Sequence, residues 1–448
     1  MPSSPGYLWV HALRQQAASL LLYSSVLENQ VGQTLNTMLA AMAEGRSETI
    51  APSDSQEVTD PSLLLDVLPA YGDLFTALAA RQQSWQQFVV QAVLEADNPF
   101  TQGVQRQPLE DLPPELLDAA RHDLQVLQDL WQWNGDGLVE AIQELGGPTL
   151  PPLAGSTPLR NALQGTLFTG YDNWAEALPA LANYHRQFGC GQMAQYRAFS
   201  WSAGQLQGYP YPDGIAMDEL VGYEDQRDQL IKNTEALLLG YPALNILLYG
   251  SRGAGKSAMI KALLPLYGNR GLRLIEIRKS VLIELPQVLA HLQNCAQKFI
   301  IFVDDLSFEE DEESYKALKV VLEGNIAARP KNVIVYATSN RRHLIREFFE
   351  DRPRPSQGDE IHAWDTVQEK LSLSDRFGLT LTFEPANQDT YLRMVFHLAR
   401  RSNLDLAPEE LKFRALQWAT RHNGRSGRTA RQFIDFLQAE LALSADLG

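Results

Sequence analysis

Residues 244–264 read LNILLYGSRGAGKSAMIKALL. A run of apolar, strand-forming side chains enters a glycine-rich turn, and the turn enters a helix-forming segment. Strand, glycine loop and helix in this order are the context in which G-x-x-x-x-G-K-[ST], here Gly250 to Ser257, reads as a phosphate-binding loop rather than a simple turn. Gly250, Gly253 and Gly255 let backbone N–H groups approach phosphate oxygens. Ser251, Arg252, Ala254 and the following Ala258 belong to the same nucleotide-contacting run. Lys256 adds a point charge at the β- and γ-phosphates, and Ser257 offers its hydroxyl to Mg²⁺. ATP and Mg²⁺ are therefore the expected ligands.

About fifty residues downstream, FIIFVDD (299–305) brings a buried strand up to two carboxylates. Asp304 is placed to hold Mg²⁺ through water, and Asp305 to stand beside an attacking water. Asp305 occupies a position where a catalytic base is more often Glu, so the strength of hydrolysis is open. Glu309 and Glu310 read as a solvated helix start. VIVYATSN (333–340) ends in Asn340, which could hydrogen-bond the attacking water or the γ-phosphate, or serve as a turn or N-cap residue. In SLSDRFGLTLTF (372–383), Arg376 immediately precedes a strand, where a guanidinium could stabilise transition-state charge on an adjacent subunit's ATP; the plainer alternative is a surface pair with Asp375. GRSGRTARQF (424–433) offers Arg425, Arg428 and Arg431, of which Arg428 and Arg431 could share a helix face toward the nucleotide.

Around these motifs the hydrophobic pattern changes character along the chain. Residues 8–45 and 62–96 carry apolar side chains at three- and four-residue spacing, and Glu115 to Leu145 follows Pro113 and Pro114 with the same period, so the first third reads as mostly α. GGPTLPPLAGSTP (146–158) and GQLQGYPYPDG (204–214) read as breaks. Beyond them, strands expected at 244–249, 272–277, 299–303, 333–337 and 379–383 alternate with helices, which implies a parallel sheet covered on both faces. Only helical patterns follow Asn387. The expected domains are an acidic α-helical domain over 1–150, a connecting region over 151–215, an α/β nucleotide-binding core over 216–385 and a helical lid over 386–448.

At 448 residues, with 45% hydrophobic and 21% charged residues, the chain is long enough for two or three domains. No apolar run approaches a membrane span, and the N-terminus lacks the pattern of a secretory signal. Cys190 and Cys295 are too few and too far apart for a disulfide framework or a zinc site, so a reducing cytoplasm is the expected compartment. The net charge of −16 is concentrated early, with 8 basic against 21 acidic residues in 1–200, and the first lysine is Lys232. Such a segment is a poor partner for nucleic acid. Trp131, Trp133 and Trp174 within it read as core.

Taken together, GSRGAGKS, FIIFVDD, ATSN, SDRFG and GRSGRTARQF resemble the AAA+ superfamily over residues 216–445. DDLSFEEDEESYKALKVVLEG, ARPKNVIVYATSNRRHLI, EKLSLSDRFGLTLTF, YRAFSW and GYEDQRDQLIKNTEALLLG narrow the resemblance to a bacterial AAA+ family catalogued as domain of unknown function 815, over roughly residues 180–445. Helicase loaders and transposition helper ATPases are similar more loosely. The resemblance implies a five-stranded parallel P-loop NTPase sheet of order 5-1-4-3-2, ATP bound between core and lid, and arginine fingers acting between subunits. Lys256, Ser257 and Asp304 would inherit the loop and metal roles; Asn340, Arg376 and Arg428 those of first sensor, finger and second sensor. LVGYE (220–224) matches the stretch bordering the adenine, which makes Val221 and Gly222 candidates.

Three functions are compatible with these residues: an oligomeric ATPase that remodels or loads a macromolecule, a nucleotide-gated switch with little turnover, and a small-molecule kinase, the last disfavoured because no acceptor-binding motif occurs. A homo-oligomer is expected, with an unidentified macromolecular partner bound through the N-terminal domain and no membrane. Nucleic acid is possible but not favoured; the basic cluster Arg341, Arg342, His343, Arg346, Arg352 and Arg354 reads better as facing a neighbouring protomer or its ATP.

Overall fold

The computed structural model describes residues 8–44, 62–133, 135–144, 146–153, 167–308, 313–323, 330–340, 374–422 and 424–446. They fall into two compact units, Met1–Gln195 and Tyr196–Gly448. Glu309, Glu310 and the basic cluster at 341–354 lie outside the described residues.

The described residues of the first unit form helices and turns. Helices Gln30–Glu44 and Ser62–Arg81 pack through Leu35, Met38 and Leu39 against Val67, Tyr71, Leu74 and Leu78, the three- and four-residue spacing made into a core. The long helical runs of the sequence are divided, and side-chain contacts at the breaks explain where. Between Leu8–Ala18 and Gln30–Glu44 the chain turns, and the fully buried Asp123 carboxylate accepts the backbone N–H groups of Leu21, Leu22 and Tyr23 at 2.7–3.0 Å. A reciprocal Ser84–Gln87 capping box starts Trp85–Glu95. The helix expected over 115–145 is two, Pro114–Gln132 and Gly135–Glu144, because Trp133 turns inward edge-on to Trp85, with ring centroids 5.6 Å apart. Trp174 stacks on Phe168 at 4.1 Å within the same core. The described part of the expected connecting region is thus shared between the units, its residues to 195 packing in the first and those from 196 opening the second.

The second unit is built on strands β1 (Ala198–Ser202), β2 (Gln205–Tyr209), β3 (Ile246–Gly250), β4 (Leu272–Glu276), β5 (Lys298–Val303), β6 (Val333–Ser339) and β7 (Leu379–Phe383). They form one sheet of order β2-β1-β4-β5-β6-β3-β7, parallel except for β2. This corrects the expected five strands of order 5-1-4-3-2: the five expected strands form the block β7-β3-β6-β5-β4, and two further strands extend its edge. The stretch from 204 is therefore not a simple break. Ala203 and Gly204, both at positive φ, make a two-residue hairpin turn, and QLQGY lies on the exposed rim, where a strand needs little apolar patterning. Ile246, Leu248, Ile300, Phe302, Ile334 and Tyr336 meet Met259, Ile260 and Leu263 of the helical segment after the glycine loop in one core. The lid is the bundle Gln388–Arg401, Pro408–Arg421 and Gly427–Asp446, closed around Tyr391, Val395, Ala415, Phe433 and Ile434.

Candidate functional site

The glycine loop leaves β3 under tight steric control. Gly250 has φ +135°, and a Cβ there would lie 2.0 Å from the Phe383 carbonyl oxygen of β7, while Ser251 donates its N–H to that same oxygen at 2.9 Å. Gly253 and Gly255 have φ +73° and +90°, left-handed conformations that free the loop to wrap back on itself before the helix begins at Lys256. The glycine spacing seen in the sequence is therefore required by backbone shape.

Lys256 is only 7% exposed. Its ammonium donates to the carbonyls of Gly250 at 2.9 Å and Ser251 at 2.8 Å and to Asn340 Oδ1 at 3.2 Å. Burial lowers its pKa from the ordinary lysine value, against the opposing pull of Asp304 and Asp305. Because β5 and β6 are neighbours, the ends of FIIFVDD and VIVYATSN meet beside the loop. Ser257 donates its hydroxyl to Asp304 Oδ1 at 2.6 Å, and Asn340 donates its side-chain N–H to Asp305 Oδ1 at 2.6 Å. Asn340 thus links the loop lysine to the second carboxylate. A hydroxyl and a single carboxylate, both hard oxygen donors, suit Mg²⁺, which takes few protein ligands and completes its shell with phosphate oxygens and water.

These residues line one cavity of about 550 Å³ between core and lid. Arg252, Gly253, Ala254, Gly255, Lys256, Ser257, Ala258, Asp304, Asp305, Asn340, Val221 and Arg428 of the sequence candidates lie in its wall. Gly250, Ser251, Gly222 and Arg376 do not. Gly250 and Ser251 shape the loop from behind; Gly222, at φ +101°, is pressed against Thr390 and Met394 of the first lid helix. Arg376 is half-buried in the turn before β7.

The cavity also has residues that the motifs did not single out. Ile215, Leu220, Met394 and Leu398 join Val221 as an apolar part of the wall, suited to the face of a nucleobase. The lid reaches the loop directly, since Arg428 donates its backbone N–H to the Gly253 carbonyl at 3.2 Å. Arg431 pairs with Glu219 of the Met217–Glu219 turn, which also meets Arg401 at 3.5 Å, while Arg401 meets Asp218 at 2.5 Å. No ion pair engages the Arg428 guanidinium among the described residues, so Arg428, expected as second sensor, and Arg431, which could share its helix face, differ in their surroundings. Thr338, another wall residue, is almost fully buried between the two carboxylate-bearing positions.

No curated protein matches the chain. Among solved structures it is similar to a substituted form of Thermotoga maritima RuvB, at 13% identity over 50% of this chain and 72% of that one, with a TM-score of 0.32. A second Thermotoga maritima structure, described as the RuvB Holliday junction branch migration motor, is similar at 12% identity over the same shares, with a TM-score of 0.32. The family described as "Protein of unknown function (DUF815)" matches residues 194–441, the whole of the sheet and nearly all of the lid, and the chain belongs to that family.

Proposed function

We propose that this protein is an AAA+ ATPase that binds Mg-ATP in the cavity between core and lid and hydrolyses it within a homo-oligomer, coupling turnover to the remodelling or loading of a macromolecular partner held by the N-terminal unit. The observation that carries the reading is the convergence, at one wall, of the buried Lys256, the Ser257–Asp304 pair and the Asp305–Asn340 pair. Mg²⁺, when bound, would neutralise charge on the β- and γ-phosphates. Lys256 would give up its carbonyl contacts to reach phosphate oxygens, Ser257 and Asp304 would hold the metal, and Asp305, oriented by Asn340, would accept a proton from water. Arg428 would meet the γ-phosphate from the lid, and Arg376 would act on a neighbour's nucleotide.

Steady-state phosphate release tests this: turnover above about 1 s⁻¹ that Lys256→Ala abolishes is the expected result. Mixing the inactive Lys256→Ala and Arg376→Ala proteins should restore part of the activity if Arg376 works across subunits; no restoration would place its role elsewhere. A second reading, a nucleotide-gated binding protein with little turnover, is favoured by Asp305, a short carboxylate already bonded to Asn340. Tight ATP binding with negligible release of phosphate would select it.

A further inference from the structure

Thr338 is the penultimate residue of β6 and is 1% exposed. Its hydroxyl donates to Asp304 Oδ1 at 2.5 Å and accepts the Asp305 backbone N–H at 3.0 Å. Its carbonyl accepts the N–H of Leu306 at 2.7 Å. One side chain therefore touches the carboxylate of one aspartate and the backbone of the next. Both neighbours have unusual requirements. Asp304 receives three donors, from Ser257, Thr338 and the Asp305 amide at 3.2 Å, and all three reach Oδ1, which leaves Oδ2 outside these bonds. Asp305 has φ +49°, the left-handed region that a non-glycine residue holds only when its surroundings enforce it.

We propose that Thr338 is the positioning residue that gives the two adjacent carboxylates different tasks. By engaging Oδ1 of Asp304 together with Ser257, it fixes the carboxylate so that Oδ2 is the oxygen available to metal-bound water. By accepting the Asp305 amide, it holds the left-handed kink that keeps the second carboxylate in the same cavity wall as the first and sets it on Asn340. Without that kink, the alternation of an extended chain would send Asp305 to the opposite face of the sheet. The hydroxyl uses its proton on Asp304 and a lone pair on Asp305, so valine, which has nearly the same shape but neither group, removes both functions at once. The inference rests on the Mg-ATP reading.

The test compares Thr338→Val and Thr338→Ser with the full-length wild type, following a fluorescent ATP analogue at increasing Mg²⁺ and, separately, phosphate release. Thr338→Val is expected to bind the analogue normally without Mg²⁺, to need roughly 10-fold more Mg²⁺ for its metal-dependent binding, and to lose about 10- to 100-fold in kcat with little change in KM. Thr338→Ser, which keeps the hydroxyl, should restore both to within about 3-fold of wild type. Should the valine protein fail to fold, Thr338→Cys, which keeps the size but donates weakly, takes its place and is expected to show the same shifts in smaller degree. A valine or cysteine protein with wild-type Mg²⁺ dependence and kcat, whatever its melting temperature, overturns the assignment of Thr338 alone. A wild-type protein that neither binds the analogue nor releases phosphate overturns the Mg-ATP reading and this inference with it.

Discussion

At Gly250 a single hydrogen atom decides whether the loop can form. A methyl group there would stand 2.0 Å from a backbone oxygen of β7 that has no freedom to retreat, and the position also has φ +135°. Gly250→Ala is accordingly expected to destabilise the second unit by about 3 kcal/mol or more, read as a shift in its urea midpoint, and to abolish nucleotide binding as a consequence. Gly72 makes the opposite case. It lies exposed inside helix Ser62–Arg81, and an added Cβ would meet nothing within 4 Å. Gly72→Ala should therefore stabilise the first unit by about 0.5–1 kcal/mol, because alanine restricts the unfolded chain and favours the helix. The two glycines look alike in composition and differ only in what surrounds them.

Between elements, the relevant question is what seats the lid on the core. The ion pairs of Arg401 and Arg431 with Asp218 and Glu219 are partly exposed, and such pairs contribute about 0–1 kcal/mol each. Steric fit is the stronger constraint. A Cβ at Gly222 would come within 2.6 Å of Thr390 Cγ2 and 2.8 Å of Met394 Cε, and Met394 also lines the cavity. Gly222→Ala should push the first lid helix away from the apolar part of the cavity wall, weakening ATP-analogue binding by about 10-fold or more while leaving the melting of the first unit unchanged. Arg401→Ala, by contrast, should shift stability by less than about 1 kcal/mol and make binding less sensitive to salt. Equal losses in the two variants would mean that charge rather than packing seats the lid.

For the molecule as a whole, the first unit is expected to respond to acid through a group remote in sequence from the glycine loop and its partner strands. His185 is fully buried, its Nδ1 lies 2.9 Å from the Gly189 carbonyl, and burial lowers its pKa from 6.5 to about 4, with the Gly189 bond and Asp97 opposing the shift. Below pH 6.5 the unfolded chain takes up a proton that the folded chain refuses until about pH 4, so stability falls as pH drops through this window. The loss should reach about 3 kcal/mol at pH 4 and be absent above pH 7. Thermal melts of His185→Gln, whose amide can still donate to Gly189, should lack this contribution; an unchanged pH slope would show that other groups carry the acid response. The two units are therefore expected to report separately, the first on pH and the second on nucleotide.

The glycine loop, both strand-end carboxylates, Asn340 and the C-terminal helical bundle were legible in the sequence because each is written in a contiguous stretch: glycine spacing encodes the turn, and apolar runs encode the strands that end in polar residues. The seven-stranded sheet was not, since β2 lies on a solvent-facing rim and carries almost no hydrophobic pattern. Nor were Thr338, Glu219 or the different surroundings of Arg428 and Arg431, because a polar side chain does not reveal its partner until the chain is folded. Thr338 and Asp304 are 34 residues apart and meet only because β5 and β6 pair in register. Sequence by itself determined which chemical groups the glycine loop and the strand ends offer; tertiary structure decided which of them hold one another in place, since that depends on non-local strand order and on which polar atoms burial leaves in need of a partner.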